Sequence, residues 1–276
     1  MALHRLTSIV LGVPDLAAAG AYYEDFGLAP LGAGRFATRD GGEQLVLTAA
    51  PARRLVELGI GADEPDDLER VARGLAKLGV EVKRGTSSLA AIDPGTKVRV
   101  VVGTAERLRQ TPAALAPTNG PGRIDRHAER APALARDEHV RPRKLGHVVL
   151  GTVDLDASQR FFIEGIGFKV SDTVRGLASF LRCSTDHHNL LVQPAPFPFF
   201  HHSSWQVEDV DEIGRGATAL LAKDPAGTSG ASAAITSDRT SSGICATPPA
   251  TSPSTMPTWI RSSTTSCGSR ASSTTA

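Results

Sequence analysis

Apolar and polar positions along the chain fall into one series twice. From Ser8, SIVLGVPDLAAAGAYYEDFGL reads as an apolar strand, an Asp-Leu helix start, a helix with paired aromatics and a glycine stop. From His147, HVVLGTVDLDASQRFFIEGIGF repeats that order. QLVLTAAP then answers NLLVQPAP, and LVELGIGADEPDDLERVARGL answers HHSSWQVEDVDEIGRGATAL, each of the last two a strand followed by an acid-capped helix. The pattern predicts an α+β chain of two tandem βαβββ modules, the first over residues 1–104 and the second over residues 144–227. Residues 105–143, rich in Pro, Ala, Gly and charge, read as a linker with one short helix.

Beyond Gly227 the periodicity stops. From Thr228 to Ala276, 24 of 49 residues are Ser or Thr and Asp238 is the only acid. A segment of that composition has too little apolar surface to bury and is expected to be irregular and disordered. It also reads as a coding sequence out of register. Shifting the frame across TSGASAAITSDRTSSGICATPPATSPSTMPTWI permits aromatic strands, a DPAG turn and a following acid, which is what the second module lacks. The second module is therefore expected to be incomplete and residues 228–276 to be an aberrant tail.

Composition narrows the chemistry. Thirty Lys and Arg against 29 Asp and Glu give a formal charge of +1, which offers no global field for nucleic acid or a membrane surface. No apolar run is long enough to span a bilayer and the N-terminal residues lack a secretory h-region, so a cytoplasmic protein with a small-molecule ligand is expected. The three cysteines, Cys183, Cys245 and Cys267, have no paired spacing that suggests a disulfide framework or a thiolate metal site.

The histidines carry the candidate chemistry. His187-His188 and His201-His202 fall on what the pattern predicts to be adjacent strands, and His147 opens HVVLG. Alternation along a strand puts His202 with Ser204 and Gln206 on a polar face, and Ser203 with Trp205 and Val207 on the core face. Parity does not decide between His187 and His188. Repeat alignment sets Ser8 and Glu57 opposite His147 and His202, and about Val100 opposite the acid of the shifted frame, so any site belongs to module two alone. Two neutral imidazoles and one carboxylate suit non-heme Fe(II). His187 and His201 are expected to be ordinary surface groups. Phe161 and Phe162 read as core, and Phe197, Phe199 and Phe200 as pocket lining.

LGHVVLGTVDLDASQRFFIEGIGF, FLRCSTDHHNLLVQP and FFHHSSWQVEDVDEI resemble the second module of type I extradiol ring-cleavage dioxygenases of the vicinal oxygen chelate superfamily. The resemblance implies that His147 and His202 are Fe(II) ligands, that His188 is the catalytic acid/base, and that a catechol-type diol of aromatic catabolism and O2 are the substrates. Members of that family often assemble through their modules, so the resemblance allows a homo-oligomer and leaves the oligomeric state open. The family's third ligand, a Glu after the DPAG-type turn, has no counterpart in the chain; in the shifted frame its codon straddles Pro253 and Ser254. A glyoxalase-like metal-dependent lyase or isomerase and a non-enzymatic small-molecule-binding protein of the superfamily are the competing readings. His188 speaks against the first, and the His147 and His202 pair against the second.

Overall fold

The computed structural model describes residues 3–112, 117–130, 138–223, 235–238 and 241–246, the last two as backbone strands. Module one runs β1 (Leu3–Val13), α1 (Leu16–Asp25), β2 (Ala29–Gly32), β3 (Arg35–Thr38) and β4 (Gly42–Ala49), then β5 (Arg54–Ala62), α2 (Pro65–Lys77), β6 (Lys83–Arg84), β7 (Ser88–Ile92) and β8 (Arg99–Thr104). The module is thus two βαβββ units, one repeat deeper than the periodicity indicated. Its sheet has the order β2-β3-β4-β1-β5-β8-β7-β6, with β1 and β5 antiparallel at the centre, β4 parallel to β1 and β8 parallel to β5.

In the linker the described residues form a small hairpin, β9 (Asn119–Gly120) with β10 (Arg123–Ile124). The predicted linker helix is not among them. Module two follows with β11 (Lys144–Thr152), α3 (Leu155–Arg160) running into a π-helical turn over Phe161–Ile166, β12 (Lys169–Val174), β13 (Ala178–Arg182), β14 (Leu190–Pro194), β15 (Phe199–Gln206) and α4 (Val210–Lys223). Two further strands, β16 (Ile235–Asp238) and β17 (Ser241–Ala246), lie in the segment expected to be irregular; its other residues fall outside those described. The sheet order is β12-β13-β14-β11-β15-β17-β16. β14 is parallel to β11, as β4 is to β1, but β17 is antiparallel to β15 where β8 is parallel to β5.

The repeat is built from the same local signals. Asp15 and Asp154 cap α1 and α3 by accepting the N–H of Ala18 and Ala157, each at 2.9 Å. Gly27 and Gly167 close the two aromatic helices at φ of 104° and 98°. At Gly27 a side chain would also run into the carbonyl of Val140, since a Cβ there would lie 2.0 Å from that oxygen. Both central pairs of strands carry the same two bulges: Thr7 and Gly146 are extra residues on β1 and β11, and Val56 and His201 are extra residues on β5 and β15.

Core faces are apolar in both modules, with Leu6, Ile9, Leu58 and Ile60 buried in the first and Val148, Leu150, Leu190 and Trp205 in the second. The modules meet where α2 crosses the π-helical turn. Glycines allow the approach, because a Cβ on Gly74 would lie 2.5 Å from the carbonyl oxygen of Gly165. Beside that crossing, the buried carboxylate of Asp93 accepts from Ser158 Oγ at 2.8 Å, and Ser158 Oγ lies 2.7 Å from Thr152 Oγ1.

Candidate functional site

The two bulges of module two decide where its histidines stand. Gly146 precedes His147 on β11 and His201 precedes His202 on β15, and in the ladder Val149 faces His202 while His147 faces Ser204. A bulge resets side-chain parity, so Phe200 joins Ser203 and Trp205 on the buried side while His202 turns to the opposite face. His147 and His202 therefore come together, with Nε2 to Nε2 at 3.3 Å and ring planes at 70°. Two imidazole nitrogens bound to one divalent ion at about 2.0–2.1 Å and roughly 90–110° stand about 2.8–3.4 Å apart. The pair fits two positions of a metal ion.

Burial and mutual repulsion keep both rings neutral. His147 is held well below the ordinary imidazole pKa by burial first and by His188, His202 and His187 after it. Burial, with His201, His188 and Arg53 adding to it, pushes His202 down to about 3. Neutral imidazoles are the form that ligates a metal.

His188 is not on a strand. It lies in the loop before β14, and β14 is separated from β15 by β11, so the two histidine pairs are not on adjacent strands as the pattern predicted. The loop nonetheless brings the His188 ring to 4.1 Å from the His147 ring, centroid to centroid. Phe180 meets His188 edge to face at 5.1 Å and 90°, a contact that no periodicity announces because it joins β13 to a loop. His187 Nδ1 lies 3.1 Å from His188 Nδ1.

His201, expected to be an ordinary surface group, is the bulged residue, with Nδ1 2.7 Å from His202 Nδ1; burial lowers its pKa. The doubled histidine was the available sign of it. Phe199 lies 6.2 Å from the His201 ring, while Phe200, like Phe161 and Phe162, belongs to the core. The expectation that Phe200 lines a pocket is corrected by the bulge that follows it.

Among the described residues no group of three or more His, Cys, Asp and Glu side chains is placed to hold one metal ion. The position inferred for a third ligand, at Pro253 and Ser254, lies outside them. In module one the same backbone positions hold Ser8 and Glu57, and the ladder sets Arg99 opposite Glu57. Val100 is fully buried in the core, and Arg99 forms an ion pair with Glu57. Two clefts lie away from the histidines. One lies at the mouth of module one beside Arg5, Asp63 and Arg107, and the other between the end of α1 and α4.

Comparison with known proteins adds to this geometry. The family model described as "Glyoxalase/Bleomycin resistance protein/Dioxygenase superfamily" matches residues 144–241. Metapyrocatechase 2 of Cupriavidus necator is 27% identical over 237 residues, which cover 79% of this chain and 70% of that protein. An iron-dependent extradiol dioxygenase of Rhodococcus jostii is 36% identical over 85 residues, covering 25% of this chain and 28% of that protein. In the fold alone, the chain is similar to the crystal structure of a Mn(II)-bound glyoxalase from Novosphingobium aromaticivorans, with TM-score 0.64 and 24% identity over 81% of this chain and 72% of that one.

Proposed function

The chain carries a domain of the Glyoxalase/Bleomycin resistance protein/Dioxygenase superfamily, and on that premise we propose that it descends from extradiol dioxygenases that cleave a catechol-type diol with O2. The observation that carries the reading is the 3.3 Å approach of two neutral imidazoles from adjacent strands, His147 buried and His202 half-buried. We assign them as the ligands of a divalent ion, and the ion as Fe(II), in keeping with the relative named iron-dependent. Bound Fe(II) would supply adjacent coordination positions for both diol oxygens and for O2, so that the reactants meet without the entropic cost of a free encounter.

The chain's own residues do the rest. Gly146 and His201 aim the two ligands, and burial keeps them unprotonated. His188 is the acid/base group, as a ring 4.1 Å from that of His147 can reach a diol held there. Its Nδ1 is engaged by His187, so the proton is exchanged at Nε2. Phe180 packs edge to face on His188 and restricts its rotation. A glyoxalase-like reaction would share the fold but has no use for a third histidine beside the ligand pair.

The missing carboxylate belongs, in this proposal, to the reading frame in which the residues after Gly227 restore a DPAG turn and an acid. Supporting it are the Ser- and Thr-rich composition after Gly227 and the direction of β17, antiparallel where module one has a parallel strand. With two ligands only, the 276-residue chain should hold Fe(II) weakly and turn over no catechol. Frame-corrected protein with Fe(II), air and a substituted catechol should give a yellow ring-opened product. Absence of that product from a folded, iron-loaded protein would rule out the dioxygenase reading.

A further inference from the structure

Two side-chain amides occupy the same place in the two modules. Gln44 precedes Leu45, which pairs with Ile9, and Asn189 precedes Leu190, which pairs with Val148. Each is 1% exposed, and each serves the bulge on its own central strand. Gln44 Nε2 donates to the carbonyls of Leu6 and Thr7 at 3.3 and 3.2 Å, and Asn189 Nδ2 donates to the carbonyl of Gly146 at 3.1 Å. At a bulge the ladder lapses, and buried backbone groups there need partners from side chains.

The carbonyl ends differ. Asn189 Oδ1 stays within module two, accepting from the N–H groups of Cys183 and Ser184. Gln44 is one methylene longer and its Oε1 crosses the module boundary, accepting the N–H of Leu145 at 2.7 Å as well as the hydroxyl of Thr38 at 3.0 Å. Leu145 and Gly146 are the two residues before His147. One side of the bulge is thus held from module two by Asn189 and the other from module one by Gln44.

We propose that Gln44, in the module without the histidine pair, is a positioning residue for the metal site: through Leu145 it fixes the bulge from which His147 reaches toward His202. The proposal rests on the reading of His147 and His202 as metal ligands. It gives module one a role in the site, because a shift of the module boundary reaches the His147 bulge through the Gln44–Leu145 hydrogen bond, beside the backbone bonds of Arg39, Asp40 and Gly41 to Pro142 and Arg143. By linkage, a metal that draws His147 toward His202 also favours the docked module boundary.

Co(II) added to the whole chain is a suitable probe, read by its ligand-field absorption at a temperature where circular dichroism shows every variant folded. Gln44→Met removes the hydrogen bond to Leu145, and Gln44→Asn keeps the amide but withdraws it. The second serves if the first does not fold. Thr38→Val is the control, since it removes the other group on Gln44 Oε1, along with the acceptor of the Gly41 N–H, and leaves the bond to Leu145 in place. Affinity for Co(II) should fall about 10- to 100-fold in the Gln44 variants, the loss typical of groups that orient ligands, and less than about 3-fold in Thr38→Val. Unchanged affinity in a folded Gln44 variant, with binding still lost in His147→Ala, would overturn the proposal and leave the ligand assignment standing. Co(II) binding that is indifferent to His147→Ala would overturn both.

Discussion

The two modules are built on one backbone plan, and only the second carries, at the equivalent positions, the histidine pair for which metal binding is proposed. Both central strand pairs have bulges at the same two places, Thr7 and Val56 in one, Gly146 and His201 in the other. On the face opposite the core these put Ser8 and Glu57 where His147 and His202 stand. The bulged backbone is therefore a property of the repeat, and the chemistry is set by which side chains it carries. Module one settles its charge internally through the Glu57–Arg99 ion pair; module two gathers imidazoles whose burial keeps them neutral. The modules also part at the strand beside Glu57 or His202. β8 runs parallel to β5 and brings Arg99 to Glu57, whereas β17 runs antiparallel to β15.

If the backbone is the same, the site should be transferable, and this has the largest expected effect. Ser8→His, Glu57→His and Arg99→Glu together place two imidazoles and a carboxylate in module one, where β8 already supplies the parallel strand. Metal analysis of the folded triple variant should find an additional ion bound per chain. No additional ion would mean that the modules differ in more than side chains.

Next in size is a difference in stability. Trp205 and Ile60 are equivalent core positions, opposite Leu145 and Leu6, and both are buried to within 1%. Trp205→Ala should cost about 3–5 kcal/mol and Ile60→Val about 0.5–1.5 kcal/mol, both read from denaturant midpoints. An equal, small cost at both sites would show that module two is not packed around its tryptophan.

A further contrast concerns pH. His202 has a folded pKa of about 3, below its ordinary unfolded value near 6.5. Between those values the unfolded chain binds more protons, so this contribution is complete above about pH 6.5 and is lost as pH falls toward 3. Wild type should therefore lose more stability than His202→Gln between pH 7 and pH 4, measured as the difference in urea midpoints. Parallel curves would contradict the burial of a neutral His202.

Much of this was legible in the sequence, and what was not has local causes. The outer repeat, the Asp15 and Asp154 caps and the two-module α+β fold follow from periodicity and turn residues. The inner repeat was hidden because β5 and β15 begin their units with sequences unlike those of β1 and β11. A bulge adds one residue and shifts parity, which made Phe200 look like pocket lining. His188 and Phe180 meet through a loop, and Gln44 reaches Leu145 across 101 positions of chain; alternation along a strand carries no trace of either contact.

In the proposed site the bulges of module two hold His147 and His202 as one metal-binding pair. A Co(II) titration of wild type beside His147→Ala, His202→Ala and Glu57→Ala tests it most directly. Loss of binding by roughly 100-fold or more in each histidine variant, with Glu57→Ala unchanged, is the predicted result. Binding that survives both histidine substitutions, or that disappears with Glu57, would contradict it.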